Sequence, residues 1–165
     1  MWLWDVRARP DTLLSKKMSA RIALVTGASR GIGRACAVAL AEAGYRVAIA
    51  ARSLDKLEEL AGELRGKGAE VFVVELDLAS PESIKEAFAK VAKEFGPIAV
   101  LVNNAGITKD GLAMRMKKDD WDTVINTNLT GAFLCSQQVL NGMLKERWGR
   151  IINISSVVGE TGNAG

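Results

Sequence analysis

Short runs of branched apolar residues alternate along the chain with longer stretches whose apolar positions return every three or four residues. The runs are Ile22-Ala23-Leu24-Val25, Val47-Ala48-Ile49-Ala50, Val71-Phe72-Val73-Val74, Ile98-Ala99-Val100-Leu101-Val102 and Ile151-Ile152-Asn153-Ile154. Their nearly unbroken apolar character predicts strands buried on both faces, as in a parallel sheet covered by helices. The first intervening stretch carries Ala35, Val38, Ala39 and Ala41 and closes at Gly44, a helix C-terminal cap. The second sets Leu54, Leu57, Leu60, Ala61 and Leu64 against Lys56, Glu58, Glu59 and Arg65 and ends in Gly66 and Gly68. Ser80-Pro81-Glu82 supplies an N-cap, a first-turn proline and an acid, and opens a third helix with Ile84, Ala87, Phe88, Val91 and Phe95 on its inner face.

A long helix from Asp119 to Lys145 follows the fourth strand, with an apolar stripe of Trp121, Val124, Ile125, Leu129, Ala132, Val139, Leu140 and Met143. Asn128 falls on that stripe, four residues after Val124 and four before Ala132, so its amide requires a polar neighbour or a water. Thr127, Thr130 and Gly131 are weak helix formers and predict a local distortion at that point.

In a doubly wound parallel sheet, ligands bind beyond the carboxyl ends of the strands, so the residues just after each strand carry the chemistry. The first strand runs into Thr26-Gly27-Ala28-Ser29-Arg30-Gly31-Ile32-Gly33. There Gly27 can adopt backbone angles closed to other residues, Gly31 lets a pyrophosphate approach the main chain, and Gly33 keeps the first helical turn open. The ligand then meets backbone amides at the positive end of a helix. Glycine-rich turns after strands are common, and G-x-x-x-G-x-G departs from the commoner G-x-G-x-x-G spacing.

After the second strand stands Arg52, where an NAD site usually places a carboxylate; an arginine suits the 2′-phosphate of NADP, and Arg30 adds a second positive charge. Each arginine alone is equally an ordinary surface residue. Asp77, after the third strand, can accept from an adenine amino group or cap the turn before Ser80. Asn103-Asn104-Ala105-Gly106 follows the fourth strand, where amide side chains can tie loops together and small residues leave room for a ring, or can form a plain turn. Ser155 and Ser156 end the fifth strand, a place where serines often serve only as caps.

With 165 residues, 48% of them hydrophobic, the chain can bury one domain's core. The net charge of +3 is modest and much of it lies in residues 1–17, where Arg7, Arg9, Lys16 and Lys17 face Asp5 and Asp11; this gives no argument for nucleic acid. With no histidine, and with Cys36 and Cys135 far apart, neither a metal site nor histidine catalysis is expected. No apolar run reaches the ~20 residues of a membrane span, and residues 1–17 lack the apolar segment of a secretory signal, so a cytoplasmic setting is expected. Those residues read as a poorly ordered or non-native leader, with Met18 a candidate start and a transit peptide the alternative.

Taken together these residues resemble the short-chain dehydrogenase/reductase family from about Met18 onward: Thr26 to Gly33 its cofactor turn, Asn103-Asn104-Ala105-Gly106 its strand-four motif, and Ile151 to Gly159 its serine segment. Gly106 to Asp110, Met114 to Lys117 and Arg147 to Gly159 are similar to its 3-oxoacyl-[acyl-carrier-protein] reductase branch. The resemblance implies a Rossmann-like domain over residues 18–165, with five parallel strands in the order 3-2-1-4-5, helices on both faces, and a C-terminally incomplete sheet. It implies an NADP(H) site in which Gly27, Ser29, Arg30, Gly31, Ile32 and Gly33 take the phosphates. Arg52, Asp77, Leu78, Asn104, Ala105 and Gly106 would complete that site. It also implies NADPH-dependent reduction of a 3-oxoacyl thioester in fatty-acid elongation, with Asn128 holding a proton-relay water and Ser156 bonding the substrate carbonyl. An acyl carrier protein would dock near Arg147, and the long helix would help build a tetramer. The family's Tyr-x-x-x-Lys signature is expected shortly after Gly165, and the one tyrosine present, Tyr45, begins strand two. A dinucleotide-binding module without catalysis, acting beside a full-length relative, is the alternative expectation.

Overall fold

The computed structural model describes residues 21–162; the expected leader and the candidate start at Met18 lie outside the described residues. Its elements are β1 (Ile22–Thr26), α1 (Gly31–Glu42), β2 (Arg46–Ala51), α2 (Leu54–Gly66), β3 (Val71–Glu75), α3 (Pro81–Glu94) and β4 (Ile98–Asn103), followed by α4 (Lys118–Ile125), a π turn (Asn126–Thr130), α5 (Gly131–Lys145), β5 (Arg150–Asn153) and α6 (Val158–Thr161). All strand pairs are parallel, in the order β3-β2-β1-β4-β5 expected from the sequence.

Side chains alternate across a strand, so β1 feeds two cores at once. Ile22 and Leu24 face the layer built by α3 and α5, with Ile84, Phe88, Val91, Cys135 and Val139. Ala23 and Val25 face the layer built by α1 and α2, with Ala37, Leu57, Leu60 and Leu64. Each fully buried Leu, Ile or Val contributes about 1.5–3 kcal/mol relative to exposure, so this double-sided burial anchors the centre of the sheet. The third helix follows its expected pattern: the Ser80 hydroxyl accepts the Ser83 N–H, and Ile84, Ala87, Phe88 and Val91 are buried.

Three helices end in one arrangement. After α1, Tyr45 N–H reaches Leu40 O and Gly44 N–H reaches Ala41 O; after α2, Ala69 reaches Leu64 and Gly68 reaches Arg65; after α5, Trp148 reaches Met143 and Arg147 reaches Leu144. This is the Schellman termination, which places one residue in the left-handed region. Gly44 and Gly68 take φ of +87° there, whereas α5 uses Arg147 at φ +49°.

Two sequence expectations need correction. In α1 the buried residues are Gly33 and Ala37, while Ala35 and Ala39 are exposed, because the helix packs through its smallest residues close against the sheet. The long helix is interrupted by the π turn, the distortion that Thr127, Thr130 and Gly131 predict; Gly131 N–H bonds Asn126 O five residues back. The extra residue rotates α5 by roughly 100° relative to a continuous helix. The expected single stripe is thereby split. Thr127, Gly131, Cys135, Val139 and Met143 are buried at four-residue intervals, while Trp121, Leu129 and Leu140 stay exposed and Asn128 does too.

Candidate functional site

The carboxyl ends of β1 to β4 open onto a cleft of about 630 Å³. Its floor is set by one buried hydroxyl. Thr26 Oγ1, at the end of β1, accepts the N–H groups of Asn104 and Ala105, both at 3.0 Å, and donates to Val102 O. Asn104 returns the contact, its Nδ2 donating to Thr26 O at 2.9 Å and to Gly27 O at 3.3 Å. The glycine turn and the loop after β4 are thus clasped together at the centre of the sheet.

That clasp explains two of the glycines. Gly27 has φ +68°, and a Cβ there would lie 2.8 Å from Ala105 Cα; a Cβ on Gly33 would overlap the Asn104 amide and the Gly27 carbonyl. Gly33 therefore lies beneath the cleft and admits the asparagine, a more specific duty than keeping the helix start open. Gly31, at φ +56°, has empty space where a Cβ would be, on the cleft side.

Helix α1 begins at Gly31 with an N-cap, Arg30, that makes no side-chain cap bond, and with no acid in its first turn. Its leading N–H groups have no intrahelical acceptor, so an anion in the cleft meets unpaired donors at the positive end of the helix. Arg30 and Arg52 line the same cleft. Asp77 lines it as well; its Oδ1 accepts the Ala79 N–H at 3.0 Å, so the turn-capping role is realised and one carboxylate oxygen stays uncommitted. Leu78 is buried along the wall, and Gly131 packs on it so closely that an added Cβ would lie 3.0 Å from the Leu78 Cβ and carbonyl. A glycine turn, open amides and two guanidinium groups fit a dinucleotide phosphate backbone.

Of the residues singled out from sequence, Gly27, Ser29, Arg30, Gly31, Ile32, Arg52, Asp77, Leu78, Asn104, Ala105 and Gly106 line the cleft, whereas Gly33, Asn128 and Ser156 do not. Asn128 is exposed, not a buried amide waiting for water. It grips the main chain of Ile107, accepting its N–H at 2.9 Å and donating to its carbonyl at 2.8 Å, and so pins the loop after β4 to the π turn. Ser156 is exposed beyond β5, its Oγ accepting Val158 N–H at 3.3 Å. Arg147 stands at the opposite pole, at the end of α5, beside a Trp148 ring stacked under Arg21 and Arg150. Tyr45 borders a separate cavity of about 300 Å³, also at that pole.

Sequence reasoning gives Lys56, Ser53, Thr123 and Thr127 no place at the site, yet all four line the cleft. Lys56 is legible in principle, four residues beyond Arg52, but its helical spacing puts it on the solvated face. Asn103 forms a second polar knot: its Nδ2 donates to Asn153 Oδ1 at 2.9 Å and Ser136 Oγ at 3.1 Å, linking β4, β5 and α5, while its Oδ1 is buried without a partner. Burial pushes the Cys135 thiol up to about 12, so it stays protonated and inert.

The chain matches the family described as short chain dehydrogenase over residues 21–165. It is 54% identical to the 3-oxoacyl-[acyl-carrier-protein] reductase FabG of Staphylococcus epidermidis, over 87% of this chain and 59% of that protein. It is 49% identical to the FabG of Aquifex aeolicus, over 90% of this chain and 60% of that protein. For the FabG of Pseudomonas aeruginosa the identity is 47%, over 90% and 60%. The chain spans about three fifths of the length of the curated relatives it matches. With a family match that starts just before β1 and takes in every element around the cleft, this chain belongs to the short-chain dehydrogenase family.

Proposed function

We propose that residues 18–165 form the NADP(H)-binding domain of a reductase acting on 3-oxoacyl thioesters, as in fatty-acid biosynthesis. The single observation that carries this reading is the uncapped start of α1, opening into a cleft with Arg30 and Arg52 on its rim. The amides after Gly31 and the Ser29 region would hold the pyrophosphate. Arg30 and Arg52 would take the adenosine 2′-phosphate, and Asp77 the adenine edge. Asn104, Ala105 and Gly106 would border the nicotinamide ribose. When bound, the cofactor supplies a hydride to a carbonyl carbon.

The chain's own residues would orient that exchange. Ser156 Oγ already accepts from Val158, which leaves its O–H to donate to a substrate carbonyl. Asn128, by fixing Ile107, holds the loop that borders the cofactor, and a relay water would bind beside it. Tyr45 borders the cavity at the opposite pole, so it is not placed to act as the general acid beside Ser156. A positioned acid is typically worth ~10²–10⁴ in rate, and the family's Tyr-x-x-x-Lys signature is the group that would supply it.

A second reading is a dinucleotide-binding module or partner subunit working beside a full-length reductase in the cytoplasm. The outer stripe of the π turn and α5 supports self-association: Leu129, Phe133, Leu140 and Leu144 are 64%, 58%, 44% and 72% exposed at helical spacing, a pattern suited to a homo-oligomer such as a tetramer. An acidic acyl carrier protein would dock at Arg147. Arg147→Glu should then weaken use of carrier-linked substrate while leaving a coenzyme A thioester unaffected.

The deciding experiment titrates the purified chain with NADPH and NADH by fluorescence, then adds an acetoacetyl thioester. Saturable NADPH binding with ketone-dependent oxidation supports the reductase; binding without oxidation supports the module. No affinity for either nucleotide in a folded sample removes both.

A further inference from the structure

Basic residues near the first two helices divide into two groups. Arg34 is paired with Glu63, Arg65 with Glu58, and Lys67 with Glu42. The three that line the cleft, Arg30, Arg52 and Lys56, form no ion pair among the described residues, and Asp77 is the one acid on the cleft wall.

Lys56 is the least expected of the three. It lies in the first turn of α2, where a cation opposes the helix dipole, and its N-cap Ser53 makes no side-chain cap bond. Glu59, three residues on, is placed for pairing on the same helix, yet no bond forms. Asp55 also stands in that first turn but does not line the cleft, whereas Arg52, four residues before Lys56, does, so on the cleft side the helix start presents two cations, unpaired donors and the free Ser53 hydroxyl. An anion of charge near −2 relieves all of these at once.

We propose that Lys56, supported by Ser53, is a specificity-determining contact for a phosphate monoester on the adenosine end of the bound dinucleotide, a third cation beside Arg30 and Arg52. The inference rests on the dinucleotide reading above. The position follows from the sheet: α1 meets the phosphates over β1, and the ends of β2 and β3 lie on the side away from Ser156 and the reacting carbons. A ligand with a 2′-hydroxyl there leaves Lys56 unpaired, so the residue should favour NADPH and be indifferent to NADH.

The test compares the full chain with Lys56→Met, which keeps the aliphatic stem, with Lys56→Arg, and with Lys85→Met on α3 as a control for net charge. Each is titrated with NADPH, NADH and 2′-AMP, with a thermal melt to establish folding. Lys56→Met should weaken NADPH and 2′-AMP by about three- to tenfold, less at high salt, and leave NADH within error, with Lys56→Arg near wild type. Unchanged NADPH affinity in Lys56→Met, or an equal loss for NADPH and NADH, overturns the proposal. If wild type itself binds neither nucleotide, or binds both alike, it is the dinucleotide reading or its NADP preference that has failed, and the role of Lys56 falls with it.

Discussion

The inner strands of the sheet and the strand at its β5 edge differ sharply. β1, β2 and β4 are buried almost without exception, and the turn, clasp and cations of the cleft rest on them. By contrast, β5 has one partly buried residue between exposed ones, and Ile152, Ile154, Val157 and Val158 face solvent at 44%, 37%, 68% and 47%. The glycine turn and its clasp are therefore built on a fixed platform. Ser156 follows a strand whose one neighbour among the described residues is β4. Among the described residues the cleft is thus preorganised by burial, whereas the segment around Ser156 is exposed.

Substitutions on the inner strands and on β5 should break or sharpen that contrast. Leu24→Ala at the centre of β1 should cost about 2–5 kcal/mol in urea unfolding, while Ile152→Ala on β5 should cost under about 1 kcal/mol. Similar losses at both sites would show that β5 is as firmly built as β1. Gly33→Ala should push Asn104 off the glycine turn, costing about 1–3 kcal/mol and weakening NADPH binding at least tenfold by titration. Retained affinity would mean the clasp does not shape the phosphate site.

Cys135, under the joint of β4 and α5, offers a probe through pH. The fold favours its neutral thiol, with a value of about 12, whereas an unfolded thiol ionises near 8.5. The group is thus neutral in both states below about pH 8, and stability falls as pH rises between the two values, by at most about 1.4 kcal/mol per unit. Cys135→Ala should flatten that alkaline loss in pH-dependent unfolding, and an unchanged slope would place the thiol in contact with water.

Asn128→Ala removes both bonds to Ile107 and should cost about 1 kcal/mol, with faster hydrogen exchange at the Ile107 amide and little change in the core. Arg147→Gly should stabilise the chain by about 0.5–1 kcal/mol, because Gly44 and Gly68 already occupy the equivalent left-handed position after α1 and α2. A loss instead would mean that the Arg147 side chain makes a contact worth more than the backbone strain.

Several features were legible because they depend on neighbours in the chain. Continuous apolar runs gave the strands, Ser80-Pro81 gave the start of α3, and Gly27 and Gly31 gave the turn, each enforced within a few residues by sterics or hydrogen bonding. Weak helix formers around Thr127 gave a local distortion as well, which takes the form of the π turn. Which face of α5 would be buried was not legible, since Leu129, Leu140, Val139 and Met143 are alike in polarity and an inserted residue changes which of them meets the sheet. Asn128 likewise reads as buried, and its real partner, Ile107, is 21 residues away.

The sequence by itself determined a five-stranded α/β sheet and the chemical character of the glycine turn that borders the cleft. Local periodicity and glycine geometry act over a few residues, and no distant partner is required. Only the tertiary structure decided that Thr26 and Asn104 lock two loops together, that Gly33 makes room for an amide 71 positions away in the chain, and that Lys56 belongs to the cleft. Those facts depend on which strands become neighbours, a global outcome of packing both faces of β1 that no short stretch of residues encodes.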